Sequence, residues 1–224
     1  MNTARKHSQR GGSMMEFVLI TLLMIPMTLG VGALGYNMIL VQETAQLARE
    51  AGYMYGRGTD FTQPGNQTML ATIGSNVGMT TSSTTSKAVV ILTAMTYVDA
   101  ETCAAANLVD VNGNPSGCTN YNKWVFAQRL SIGNPSVRSS NVGSPVSSGP
   151  TGVTIDSSGN INIVDYCTKA GAVASFTLTN PYSTTMGTVS GLPSRQFLYM
   201  AEAASSTFSL GSYQGMTAYA YGLF

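Results

Sequence analysis

In the run Arg10-Gly11-Gly12-Ser13-Met14-Met15-Glu16-Phe17 a lone carboxylate follows Gly11 by five positions and opens an apolar stretch that reaches Val41. An ionised side chain costs roughly 2.5 to 3.5 kcal/mol near the centre of a bilayer and somewhat less near its edge. Hydrolysis of the Gly11–Gly12 peptide bond would offset that cost. The new amino group of Gly12 is a cation one helical turn from Glu16, or from Glu16 of a neighbouring copy, so a pair replaces a lone charge.

No constellation in the chain points to catalysis by the chain itself. His7 is the only histidine and lies ahead of Gly11, which leaves the rest without an imidazole base. Lys87, Lys123 and Lys169 sit in no Ser-Lys motif. Asp99 and Glu101 are expected to share one strand face in a polar turn, as solvated carboxylates. The glycines form no phosphate-binding pattern. The chain is therefore read as not an enzyme, with no cofactor, no metal, no small-molecule substrate and no nucleic-acid partner; its net charge of +1 falls further without Arg5, Lys6 and Arg10.

Three cysteines remain. In an oxidising compartment Cys103 and Cys118 can close a loop of about 15 residues, worth roughly 3 kcal/mol in the chain-entropy model. The turn-forming run Asp110-Val111-Asn112-Gly113-Asn114-Pro115 lies between them and allows the reversal. Cys167 is then left over, and pairing of Cys167 with either of the others stays open. The same run has oxygen ligands at alternate positions like a calcium loop. It lacks the downstream bidentate Glu, so the reading favours a plain turn.

The elements that position these groups follow from periodicity. Between Phe17 and Val41 no residue is charged, and the run exceeds the about 20 residues needed to cross hydrocarbon. Basic residues cluster ahead of it, so the positive-inside rule puts the N-terminus in the cytoplasm and everything after Val41 outside. Pro26, Gly30, Gly32 and Gly35 fall within the span, either as ordinary membrane-helix composition or as a point where the helix can kink. Small and apolar residues at Ala45, Leu47, Ala48, Ala51 and Tyr55 continue the helical period. The helix from Ser13 to Tyr55 is then on the order of 65 Å long, ending at Gly56-Arg57-Gly58.

Charged residues make up only 9% of the chain against about 25% in typical domains, and beyond the helix Ser, Thr, Asn and Gly dominate. Strands are expected at Ala88–Tyr97, at Trp124–Ile132 with Trp124, Phe126, Gln128, Leu130 and Ile132 on one face, and at Phe197–Ala203 and Met216–Phe224. A hairpin is expected from Val153–Asp156 and Asn160–Val164 around Ser157-Ser158-Gly159. A short amphipathic helix is expected between Asn66 and Val77, with Met69, Leu70, Ile73 and Val77 inward. Gly133–Gly152 reads as a long surface loop. The fold class is α+β, with a long N-terminal transmembrane helix extending into a mainly antiparallel sheet domain outside the membrane.

The basic leader, Gly11, Gly12, Glu16 and Phe17, the apolar span and Ala48-Arg49-Glu50-Ala51-Gly52 after it resemble the type IV pilin-like proteins. More narrowly, they resemble the TadE-like family of the tight-adherence pilus assembly system, over roughly the first quarter of the chain. At one position beyond Arg49-Glu50, this chain has Tyr53 where that family often shows a second basic residue. The resemblance implies a leader at 1–11, cut off after Gly11 by a membrane-embedded aspartyl prepilin peptidase, a pilin-like helix at 12–57 and an extracytoplasmic domain at 58–224. It further implies a minor pilin or pseudopilin, anchored from Phe17 through Pro26 to Val41 and held in register with other pilin-like subunits by Gly12 and Glu16. Other readings stay open. Ala33-Leu34-Gly35 has the form of a signal-peptidase site that would leave Tyr36 first, although the apolar run is longer than usual for a signal and Glu16 opens it. A membrane-tethered adhesin with an uncleaved anchor, or the major subunit of another type IV pilus, would carry many of the same features.

Overall fold

The computed structural model describes residues 10–175, 196–207 and 217–224. One helix, α1 (Arg10–Gly56), runs 47 residues without interruption, about 70 Å at 1.5 Å per residue. From Met14 onward it is long and apolar enough to cross a membrane, by length and composition. It stops where the sequence places glycine: Gly58 takes φ +84°, and the N–H groups of Gly58 and Thr59 bond back to the carbonyls of Tyr55 and Met54 at 3.0 Å each.

The rest is an α+β unit on one antiparallel sheet. Its strands are β1 (Ala88–Tyr97), β2 (Trp124–Gly133), β3 (Phe197–Ser205) and β4 (Ala218–Leu223), ordered β2-β1-β3-β4. Directly paired residues share a face. On one face Val90 lies between Ile132 and Ala203, and Leu92 between Leu130 and Ala201. This face receives α1, and its β3–β4 side is made of small residues: Ala201, Ala203 and Ser205, then Ala218, Ala220 and Gly222. Short side chains let the helix lie close to the strands. Leu40, Leu47, Ala48, Ala51 and Tyr55 of α1 are buried against it. Helix α2 (Pro64–Ile73) and a 3-10 turn at Ser75–Val77 add Leu70 and Val77 to the same core.

The opposite face carries a second core around Met95, Trp124, Phe126 and the cysteines, covered by α3 (Ala100–Ala105), α4 (Ile163–Thr168) and the chain between. That chain also seals the free edge of β2. Arg129 N–H donates to Gly159 O at 2.9 Å, Ile161 N–H to Ala127 O at 2.8 Å and Ala174 N–H to Trp124 O at 3.0 Å. Gly159 is required there: its φ is +73°, and a Cβ would meet the Arg129 carbonyl oxygen at 2.2 Å.

Several sequence expectations need correction. The alternation along β2 does not hold from end to end. The register shifts between Ala94 and Met95, which pair with Gln128 and Phe126, and Ala127 is the extra residue. A bulge of this kind sends Trp124 and Phe126 to the face opposite Gln128, Leu130 and Ile132. The expected strand Asn160–Val164 is instead two isolated bridges, Gln128–Asn160 and Ile155–Ile161, followed by α4, which Asn162 caps by accepting the Val164 N–H. In α2, Met69 and Ile73 face outward. Asp99 and Glu101 are not on a strand: Asp99 caps α3 through the Thr102 N–H at 2.8 Å, and Glu101 lies in its first turn. The Gly133–Gly152 loop is not purely superficial, since Val142 is buried in the second core. Met216 and the leader residues 1–9 lie outside the described residues.

Candidate functional site

Gly11 and Gly12 lie in the first turn of α1, and helical spacing alone brings Gly12 to Glu16, one turn on. Glycine is a poor helix former, by about 0.8 to 1.0 kcal/mol relative to alanine in a helix interior, so the adjacent pair makes this first turn a weak one. Glu16 and Phe17 are exposed.

From Met14 to Ile39 no large apolar side chain of α1 is buried by the rest of the chain; Phe17, Leu22 and Met38 are 68%, 72% and 69% exposed. Pro26 sits inside the unbroken helix and has no N–H for the Leu22 carbonyl. Thr21 and Thr28 turn their hydroxyls back onto the Phe17 and Met24 carbonyls at 2.9 Å each, which hides two polar groups on an otherwise apolar surface. Space around Gly30, Gly32 and Gly35 is open. Val41 is still half-exposed, but Leu40 and Thr44 beside it are buried on the sheet. The handover from bare to packed helix therefore falls within about one turn.

The cysteines lie at the other end of the molecule. The Cys103 and Cys118 sulfurs are 2.13 Å apart, with Cα atoms 6.1 Å apart, as a disulfide requires. Cys167 is buried and unbridged, and burial, then the charge of Asp99, pushes its thiol up to about 11. Asp110 is used as a turn residue. One oxygen accepts the Asn112 and Asn114 N–H groups at 2.9 and 2.8 Å, and the other accepts the Asn114 side-chain amide at 3.1 Å. Those bonds, the Asn114 side chain first, hold its pKa below the usual carboxylate range. Asp156 repeats the arrangement with Ser158 and Asn160. Both oxygens of Asp110 are thus engaged by N–H donors of its own turn.

Comparison of the chain with family models, with curated proteins and with solved structures gives no match in any of the three.

Two features of the packing escaped the sequence reading. Gly52 of α1 lies under the ring of Phe224, where a Cβ would come within 1.9 Å of the ring, and Tyr53 meets the same ring edge-on at 5.2 Å. The signal was present in Gly52 and Gly56, four apart, but not the ring that uses them. The second is Glu202, 1% exposed in the middle of β3. Its carboxylate accepts from Tyr219 OH at 2.6 Å, from the Asn141 N–H at 2.9 Å and from the Ser140 hydroxyl. A lone acid in the apolar run Met200-Ala201-Glu202-Ala203-Ala204 was the available clue.

Proposed function

We propose that this chain is a pilin-like structural protein, a TadE-like minor pilin or pseudopilin, that takes part in assembling or priming a tight-adherence pilus. A membrane-embedded prepilin peptidase cuts it between Gly11 and Gly12. The Phe17–Val41 part of α1 then anchors it in the cytoplasmic membrane with its sheet domain outside. The observation that supports this reading best is a single helix with two surroundings: an apolar first half that its own chain leaves bare, and a second half docked on an antiparallel sheet. A helix of that kind keeps its backbone bonds within itself and can pass from lipid to a bundle of like helices without refolding. Glu16 would pair there with a Gly12 amine and set the subunit register.

The test is the mass of the native protein. A chain beginning at Gly12 is expected, and Gly11→Val should keep the full length because a branched side chain obstructs the peptidase. Glu16→Ala should still be cut but assemble poorly. A native chain that begins at Met1 points to the tethered-adhesin reading, and one that begins at Tyr36 to signal peptidase; either removes the pilus role.

A further inference from the structure

Residues 135–141 cross the sheet face opposite α1 between two firm anchors. At one end the Asn134 N–H donates to Ala88 O at 3.0 Å; at the other Val142 is buried, and its carbonyl accepts the Ser175 N–H at 2.9 Å. Between these anchors, among the described residues, the main chain reaches the sheet through one hydrogen bond, Asn141 N–H to Glu202. Ser140 donates to the other Glu202 oxygen. Arg138 adds a cation–π contact, 4.0 Å above the ring of Tyr219, and donates to Asn141 Oδ1 at 3.2 Å. Beneath the segment lie Val89, Ile91 and Ala204, with Val137 half-buried over them.

We propose that 135–141 is a strap that opens as a unit, with the Glu202 carboxylate as the catch that holds it shut. A buried carboxylate is an expensive way to fill space, and an apolar side chain of similar volume is often as stabilising or more so. What the carboxylate provides instead is directional bonding to three donors from two elements, the strap and β4. Arg129 of β2 also faces it: burial lowers the pKa of that guanidinium and the charge of Glu202 opposes the shift. When the strap lifts, water solvates the carboxylate and offsets part of the lost bonding, so the catch resists opening by its net bond strength but leaves no buried unpaired charge behind. The cost of opening is thereby kept local, in the manner of a sub-global unit. Opening uncovers an apolar patch and a carboxylate on the sheet face that α1 does not occupy. The inference does not depend on the pilus reading.

The test is a trypsin time course on the full-length chain in detergent micelles, comparing cleavage after Arg138, in the strap, with cleavage after Arg129, in β2. In Glu202→Ala the Arg138 rate is expected to rise about tenfold, as loss of charge-assisted bonds implies, with the Arg129 rate unchanged. Ser140→Ala, which removes one donor from a half-exposed position, should give a smaller rise at Arg138 alone. Unchanged Arg138 rates in both variants overturn the proposal. Should Glu202→Ala expose both sites together, Ser140→Ala decides: a selective rise carries the proposal and its absence defeats it.

Discussion

The two halves of α1 share one backbone geometry and differ in what their side chains meet. In the second half, Leu40, Thr44, Leu47, Ala48, Ala51 and Tyr55 recur at helical spacing and are buried, while Gln42, Gln46, Arg49, Glu50 and Tyr53 are exposed. That is the stripe of a helix on a core. The first half has no stripe, because it is apolar on every side. The difference teaches that the described residues of the domain bury one face of the second half and leave the first half bare. Removing side chains should therefore have opposite consequences in the two halves, and matched substitutions can break or sharpen the contrast.

The largest effect is expected for Leu47→Ala against Leu23→Ala. Leu47 is 1% exposed and Leu23 64%. Emptying the first leaves a cavity costing about 2 to 5 kcal/mol. The second should leave domain unfolding within about 0.5 kcal/mol of the parent. Denaturant titration of the full chain in detergent, read through the fluorescence of Trp124, the sole and buried tryptophan, measures both. Equal losses would mean that the halves are one cooperative unit.

Next comes Gly52→Leu against Gly32→Leu. A side chain at Gly52 must displace the Phe224 ring, whereas nothing lies within 4 Å of a Cβ at Gly32. Overpacking of this kind costs about 1 to 3 kcal/mol, and only the first variant should show it in the same titration. The contrast tests whether Phe224, which exchanges backbone bonds with Tyr199 at 2.8 and 3.2 Å, is part of the folded sheet.

How much of this was legible in the sequence depended on whether a local pattern decided the outcome. The apolar helix from Phe17, its continuation to Tyr55 and the strands β1 and β3 were readable because composition and period act along the chain. The Cys103–Cys118 loop was readable because its turn residues were local. The β2 bulge was not, since Ala127 looks like any alternating residue until the partner strand skips it. Asn160–Val164 misled because β-branched residues suit a strand, yet Asn162 supplies a helix cap and the edge of β2 takes up the preceding residues. Glu202 was missed for a similar reason. Its partners Ser140 and Asn141 lie 62 and 61 residues away, in a loop whose polarity reads as solvent exposure. At Gly12 and Glu16 the structure adds little to the sequence, because helical spacing alone sets them one turn apart.

The smallest effect, and the finest test of the contrast, concerns two threonines that both bond back to the carbonyl four residues earlier. Thr28 does so at 2.9 Å on the bare half and Thr44 at 2.7 Å on the packed half, but Thr44 also meets the buried Ser205 hydroxyl at 2.7 Å. Thr28→Val should leave domain stability unchanged, and Thr44→Val should cost about 1 kcal/mol, the usual net worth of one buried hydrogen bond. Combining Thr44→Val with Ser205→Ala should cost less than the two single changes summed, with a coupling of about 0.5 kcal/mol or more for residues in direct contact. A coupling of zero in that cycle would mean that the polar contact adds nothing, and that apolar packing alone distinguishes the docked half from the bare one.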